Sequence, residues 1–177
     1  FGFQGIGEML PSIQGFSMQD SSWLKIVEFA IEANWPINFH VSEPLGRPHP
    51  GRVPTPFEEF QWLAKNYPEL KIILAHWGGL LPFYELNPYL QKILNNVWYD
   101  VAASPLTYDT RVFRAMVDAV GSDKILYGSD YPLLLYPSRQ SEPDFVSYLN
   151  EIQTAGLNEE ELEKVLGENL ASLLDLQ

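Results

Sequence analysis

Cysteine is absent from the 177 residues, which removes disulfides and thiolate metal ligands together. Any metal held by this chain must therefore use nitrogen and oxygen donors. Positive charge is scarce: 11 Lys and Arg stand against 23 Asp and Glu, a formal charge of −12. A nucleic-acid surface displaces counterions from phosphates with a stripe of basic side chains, and none is present, so nucleic acid is not an expected partner. No run reaches the ~18 apolar residues that mark a membrane span. No basic segment leads into an apolar one, as a secretory signal would require. A G-x-G-x-x-G turn is also missing, which counts against a nucleotide-binding open sheet. A cytoplasmic location is the expectation these absences leave.

The residues that are present can build a core, since 46% are hydrophobic and 14% aromatic. Short apolar runs alternate with longer amphipathic segments. "GFQGIGEML", "PINFHV", "LKIILAH", "NVWYDVA" and "KILYGSD" are brief, apolar and bounded by Gly, Pro or polar residues, the pattern of strands buried on both faces. Between them the periodicity is helical. "SSWLKIVEFAIEAN" sets Leu24, Val27 and Ile31 on one face behind a Ser21/Ser22 cap. "TPFEEFQWLAKNY" offers Thr55 as cap, Pro56 at the first helical position and Glu58 in the capping box. "DTRVFRAMVDAVG" starts on Asp109 and stops at Gly121, and two more helices are predicted near 143–155 and 158–174.

Strands that alternate with helices predict a parallel sheet with right-handed crossovers. The five strands close on Glu8, His40, His76, Asp100 and Asp130, spaced 32, 36, 24 and 30 residues apart. Each βα unit thus takes about 30 residues, and eight would need roughly the 250 of a (β/α)8 barrel. Five units predict an α/β fold that is a partial barrel; a doubly wound open sheet is the structural rival.

Ionisable residues at the C-terminal ends of successive strands converge on one face of a barrel, where its active site is built. Two imidazoles among carboxylates form a nitrogen and oxygen set suited to Zn, Mn or Fe. The Gly78-Gly79 pair after His76 is expected to leave room for metal and substrate. Asp100 either joins that site or orients loop hydroxyls or caps a helix. Glu8 either pairs with a cation or contacts metal or substrate, and His49, in the Pro/Gly-rich "GRPHPGR", is read as solvated. In the loop after the second strand, Arg47 and Arg52 could receive a substrate carboxylate, and Glu43 and Tyr84 are further pocket candidates.

Through "FHVSEP", "ILAHWGG", "ILYGSDYP" and the ending "LGENLASLLDL" the sequence resembles the amidohydrolase superfamily. The closer likeness is to its amidohydrolase-related group, which includes aminocarboxymuconate-semialdehyde and resorcylate decarboxylases. The resemblance implies one domain over residues 1–177 that corresponds to strands four to eight of the barrel, with strands one to three outside it. It implies His40, His76 and Asp130 as metal ligands and a divalent cation, zinc first, with manganese or iron as alternatives. Asp130 would accept a proton from a metal-activated water, and His76 would steady a developing oxyanion. Glu8, Glu43, Arg47 and Tyr84 remain for substrate. The group also carries a His-x-His pair on strand one, and no His-x-His occurs in these residues. The implied function is a metal-dependent hydrolase acting on a small molecule. A decarboxylase on a small carboxylic acid, or a scaffold without catalysis, are the alternatives. Open strand edges add an expectation of self-association into a homo-oligomer.

Overall fold

The computed structural model describes residues 2–176. The five apolar runs form β1 (Ile6–Met9), β2 (Ile37–Phe39), β3 (Ile72–Leu74), β4 (Val97–Asp100) and β5 (Ile125–Leu126), all shorter than the sequence pattern suggests. They pair in parallel and in strict chain order, β1-β2-β3-β4-β5. A doubly wound sheet reverses its strand order at a switch point; here every strand lies beside its sequence neighbours, so the sheet is a segment of a (β/α)8 barrel. Among the described residues, β1 and β5 each pair on one side only.

Alternation sorts the two faces. Ile37, Phe39, Ile72, Leu74, Val97, Tyr99 and Ile125 enter the large core against the helices. On the opposite, concave face Ile73 and Leu126 pack with Trp98, Leu170 and Leu173. The helical layer begins with α1 (Pro11–Gln14) and α2 (Ser21–Glu32), followed by α3 (Phe57–Asn66), α4 (Pro88–Ile93), α5 (Ser104–Thr107) and α6 (Arg111–Val120). It ends with α7 (Val146–Gln153), α8 (Glu159–Glu163) and α9 (Asn169–Leu173). None is long and apolar enough to cross a membrane.

Helix boundaries differ from the sequence expectation for local reasons. Asp20, not Ser21 or Ser22, is the cap residue of α2, and the helix buries Trp23, Val27 and Ala30. Leu24 and Ile31 are only partly buried against the core. Helix α3 starts one residue late because Thr55 is otherwise engaged. Its hydroxyl accepts the Ser42 N–H at 2.9 Å and donates to the Val53 carbonyl at 3.0 Å, leaving Pro56 as the cap and no capping box. Asp109 lies outside α6, where its carboxylate takes the Arg111 N–H. The capping box forms instead at α8, between Asn158 and Glu161.

The predicted last helix is one helical run interrupted by a π segment, Lys164–Glu168, between α8 and α9. A π turn frees carbonyls from the helical ladder, and the Val165 carbonyl accepts the Tyr127 N–H at 2.8 Å just beyond β5. Asn169 donates to the carbonyls of Ser122 and Ile125 at 2.7 and 2.8 Å. The "LGENL" ending thus ties the last strand to the C-terminal helix.

Candidate metal centre

After β3 the chain turns left-handed. His76, Trp77, Gly78, Gly79 and Leu80 all have positive φ, between 54° and 73°, at the start of a 3-10 segment, His76–Leu86. Each non-glycine residue in that region costs about 1–2 kcal/mol, so His76, Trp77 and Leu80 together cost roughly 3–6. Burial of Trp77 offsets a sum of that size: an aromatic covering ~150–250 Å² gains roughly 4–6 kcal/mol at ~25 cal/mol per Å². The indole is fully buried, donates to the Ser104 hydroxyl at 2.6 Å and meets Phe113 edge-on. The two glycines therefore serve the backbone rather than a substrate. A Cβ on Gly78 would lie 2.7 Å from the Tyr99 ring, and one on Gly79 would lie 2.8 Å from the Ser42 carbonyl oxygen.

Asp100, at the end of β4, holds this turn in place. One carboxylate oxygen accepts the N–H groups of His76 and Ala102, each at 3.0 Å, and the other accepts Asn38 Nδ2 at 3.2 Å. It orients backbone, not hydroxyls, and caps no helix. Burial raises its pKa, against the charge of His76 and these hydrogen bonds. Gly128 of "YGSD" leaves space for it, since a Cβ there would come within 3.2 Å of the Asp100 carboxyl carbon. Asn38 had a legible signal: it is the one amide inside the apolar "INF" strand, on its concave face.

Each imidazole has one nitrogen fixed by a backbone carbonyl. His40 Nε2 lies 2.8 Å from the Gly51 oxygen, and His76 Nδ1 lies 3.1 Å from the Ala102 oxygen. A carbonyl only accepts, so those nitrogens carry the protons. The other two nitrogens face each other: His40 Nδ1 and His76 Nε2 are 3.2 Å apart. Glu8 Oε1 completes the triangle, at 3.1 Å from the first and 3.4 Å from the second. Three acceptor atoms converge with no donor of their own, an arrangement that requires a shared proton or a cation. A tetrahedral ion with bonds of about 2.0–2.1 Å spaces its ligands about 3.3–3.4 Å apart, so the triangle fits one. Metal-ligating histidines characteristically anchor their second nitrogen in this way.

Glu8, read from sequence as a substrate residue, thus stands with the two histidines, and these three place ligand atoms within 4.8 Å of one another. Asp130 is not among them. It borders the same open cavity of about 600 Å³ as Glu8, His76 and Asp100. Glu43 and Tyr84 border a different depression with Leu45 and Phe83, and Arg47 is exposed on its loop. Arg52 is committed to the carbonyls of Glu43, Pro44 and Gly46, which closes the loop that carries Gly51.

Without a metal the triangle holds a proton. Partial burial pushes the Glu8 carboxyl up, but hydrogen bonds to His40 and His76 and their charges outweigh it and bring it to about 2. Desolvation pushes His76 down, yet its bond to Glu8, the charges of Asp100 and Asp130 and the Ala102 carbonyl raise it to about 9. The pH dependence of the metal-free protein follows. The Glu8 contribution is complete above the ordinary value of 4.5 and is lost as pH falls toward about 2. The His76 contribution is complete below 6.5 and is lost as pH rises toward about 9. Stability should peak between pH 4.5 and 6.5 and decline from 6.5 to 9. Cation affinity should rise over that upper interval, because binding displaces the His76 proton. Denaturant melts and competition titrations across the interval measure both; a flat stability profile would contradict the shared proton.

A model of the amidohydrolase family, described as "Amidohydrolase", matches residues 1–176. The chain belongs to that family. Solved structures similar to this amidohydrolase-family chain agree on the barrel. One is 5-carboxyvanillate decarboxylase from Sphingomonas paucimobilis, with 14% identity and a TM-score of 0.70, covering 99% of this chain and 59% of that one. Another is a dihydroxybenzoic acid decarboxylase from Polaromonas with bound manganese and 2-nitroresorcinol, with 16% identity, a TM-score of 0.63 and coverage of 90% and 55%. A third is 4-oxalomesaconate hydratase from Rhodopseudomonas palustris, with 20% identity, a TM-score of 0.62 and coverage of 90% and 51%. The chain therefore spans between half and two thirds of the length of these structures.

Proposed function

We propose that Glu8, His40 and His76 bind a divalent cation and that the site hydrolyses a small molecule, with Asp130 as the proton acceptor. Zinc is the first choice, because two imidazoles and one carboxylate in a tetrahedral spacing suit it; manganese or iron are the alternatives. The observation that carries the reading is the triangle of acceptor atoms, each ring locked by a backbone carbonyl on its other nitrogen. When bound, such a cation supplies Lewis acidity and lowers the pKa of a water from about 15.7 to about 7. The chain's own residues then divide the work. Asp130 faces the cavity and takes the proton released as the nucleophile attacks. His76 stays oriented because its amide and its Nδ1–H are both held, by Asp100 and Ala102. Asp100 is buried, and its carboxylate is engaged by the N–H groups of His76 and Ala102 and by Asn38.

Decarboxylation is the second reading, supported by the two similar structures named as decarboxylases. The same three ligands would hold the cation that takes the substrate, the substrate carboxylate would leave as carbon dioxide, and Asp130 would relay a proton from solvent to the carbon that lost it. Product analysis on a panel of small carboxylic acids, esters and amides separates the two. In either reaction Asp130→Asn should lower kcat about 10²–10⁴-fold in the full-length protein while KM changes little, because size is kept and the proton-transfer role is lost. Unchanged turnover would remove Asp130 from the mechanism.

A further inference from the structure

His40 also borders a second cavity, separate from the one lined by Glu8, His76 and Asp130. It measures about 210 Å³, and its walls are mainly Leu10, Phe16, Met18, Val53, Pro54 and Phe60. Met18 and Phe60 are buried, at 1% exposure each, so the floor is part of the core rather than a surface dent.

Two of the polar groups on the wall are committed, and a third, the Ser12 side chain, is on an exposed residue. Thr55 accepts from Ser42 and donates to Val53, and the Glu59 carboxylate accepts the Met18 N–H at 3.4 Å. Glu59 is also the one acidic side chain on the wall, and no Lys or Arg faces it. A ligand carboxylate would meet repulsion from Glu59 there and no Lys or Arg to receive it. An apolar cavity of ~150 Å³ is large enough to take benzene. This cavity has room for a ring and a small substituent.

We infer that the cavity is a binding site for an uncharged apolar group, an aromatic ring or a branched alkyl group of similar size, seated against the His40 ring. The apolar pocket does not rest on the proposed metal site.

The test uses the metal-free full chain and toluene as the probe, with acetate as the charged control. Carbon-13 methyl signals of Met18 and Val53 and the ring signals of His40 report occupancy. Toluene should shift all three saturably, and acetate should leave the two methyl signals unmoved. Val53→Trp fills the cavity and should weaken toluene binding at least tenfold, whereas Val53→Ala should retain it. If Val53→Trp loses its cooperative melt, Leu10→Trp blocks the same space from the opposite wall. Absence of a saturable shift up to the solubility of toluene, or full binding in a correctly folded filled variant, would overturn the inference. No metal takes part, so these outcomes stand apart from those of the cation experiments.

Discussion

Zinc or manganese at a hundredfold excess over its dissociation constant should stabilise the chain by about 2.7 kcal/mol, and His40→Ala or His76→Ala should abolish that gain. The reason is geometric. The three donor atoms are spaced 3.1, 3.2 and 3.4 Å apart, and each variant leaves two donors that neither complete nor enclose a coordination shell. Affinity should fall at least 100-fold in each. His49→Ala is the control, since that imidazole is exposed on its loop and borders another depression. Thermal melts with and without metal, together with elemental analysis after dialysis, give the answer. Stoichiometric metal retained by both variants would place the cation elsewhere.

Glu85→Leu should destabilise the protein by about 3–5 kcal/mol, the usual cost of stranding one partner of a buried ion pair. Glu85 side chains are 2% exposed and Lys124 18%, and Lys124 Nζ reaches the two carboxylate oxygens at 2.6 and 2.8 Å. The ammonium also donates to the Leu94 carbonyl, and Tyr99 donates its hydroxyl to Glu85. Burial lowers the Lys124 pKa, and Glu85 is what opposes it. Removing the carboxylate therefore leaves a charge in a low-dielectric site. Lys124→Met should cost a similar amount by stranding Glu85. The double variant should be more stable than either single one, because an apolar pair of like volume leaves no charge uncompensated. At roughly 2–4 °C per kcal/mol for a chain of this size, each single variant should melt roughly 6–20 °C lower. Additive losses in the double variant would mean that the pair is not coupled. Glu85 closes the segment that begins at His76 and Lys124 leads into β5, so this pair also fastens the left-handed turn to the end of the sheet.

Neither the turn nor the pair was legible in the sequence, and the reason is the same for both. Nothing in "HWGG" distinguishes glycines that admit a substrate from glycines that let the backbone turn left-handed. The distinction is made by Tyr99 and Ser42, which come from β4 and from the loop after β2. Glu85 in "PFYEL" looks like a solvated charge because its partner lies 39 residues away. Thr55 failed as a cap for a similar reason, since a tertiary partner, Ser42, took the hydroxyl first.

The sequence by itself determined the parallel βα alternation, the ionisable residues at or near the ends of β2, β3 and β4 and the absence of sulfur ligands, whereas Glu8 lies within β1 and Asp130 four residues beyond β5. Periodicity, strand-end position and composition are local properties that a chain carries wherever it folds. Only the tertiary structure decided which of those residues meet. Strict strand order set His40 beside His76, and the Gly51 and Ala102 carbonyls fixed which nitrogen of each ring faces inward. The same register brought Glu8 into the group and left Asp130 at the cavity wall. Distances of a few ångströms between strands depend on register and backbone turn, and one residue's neighbours in sequence do not specify either.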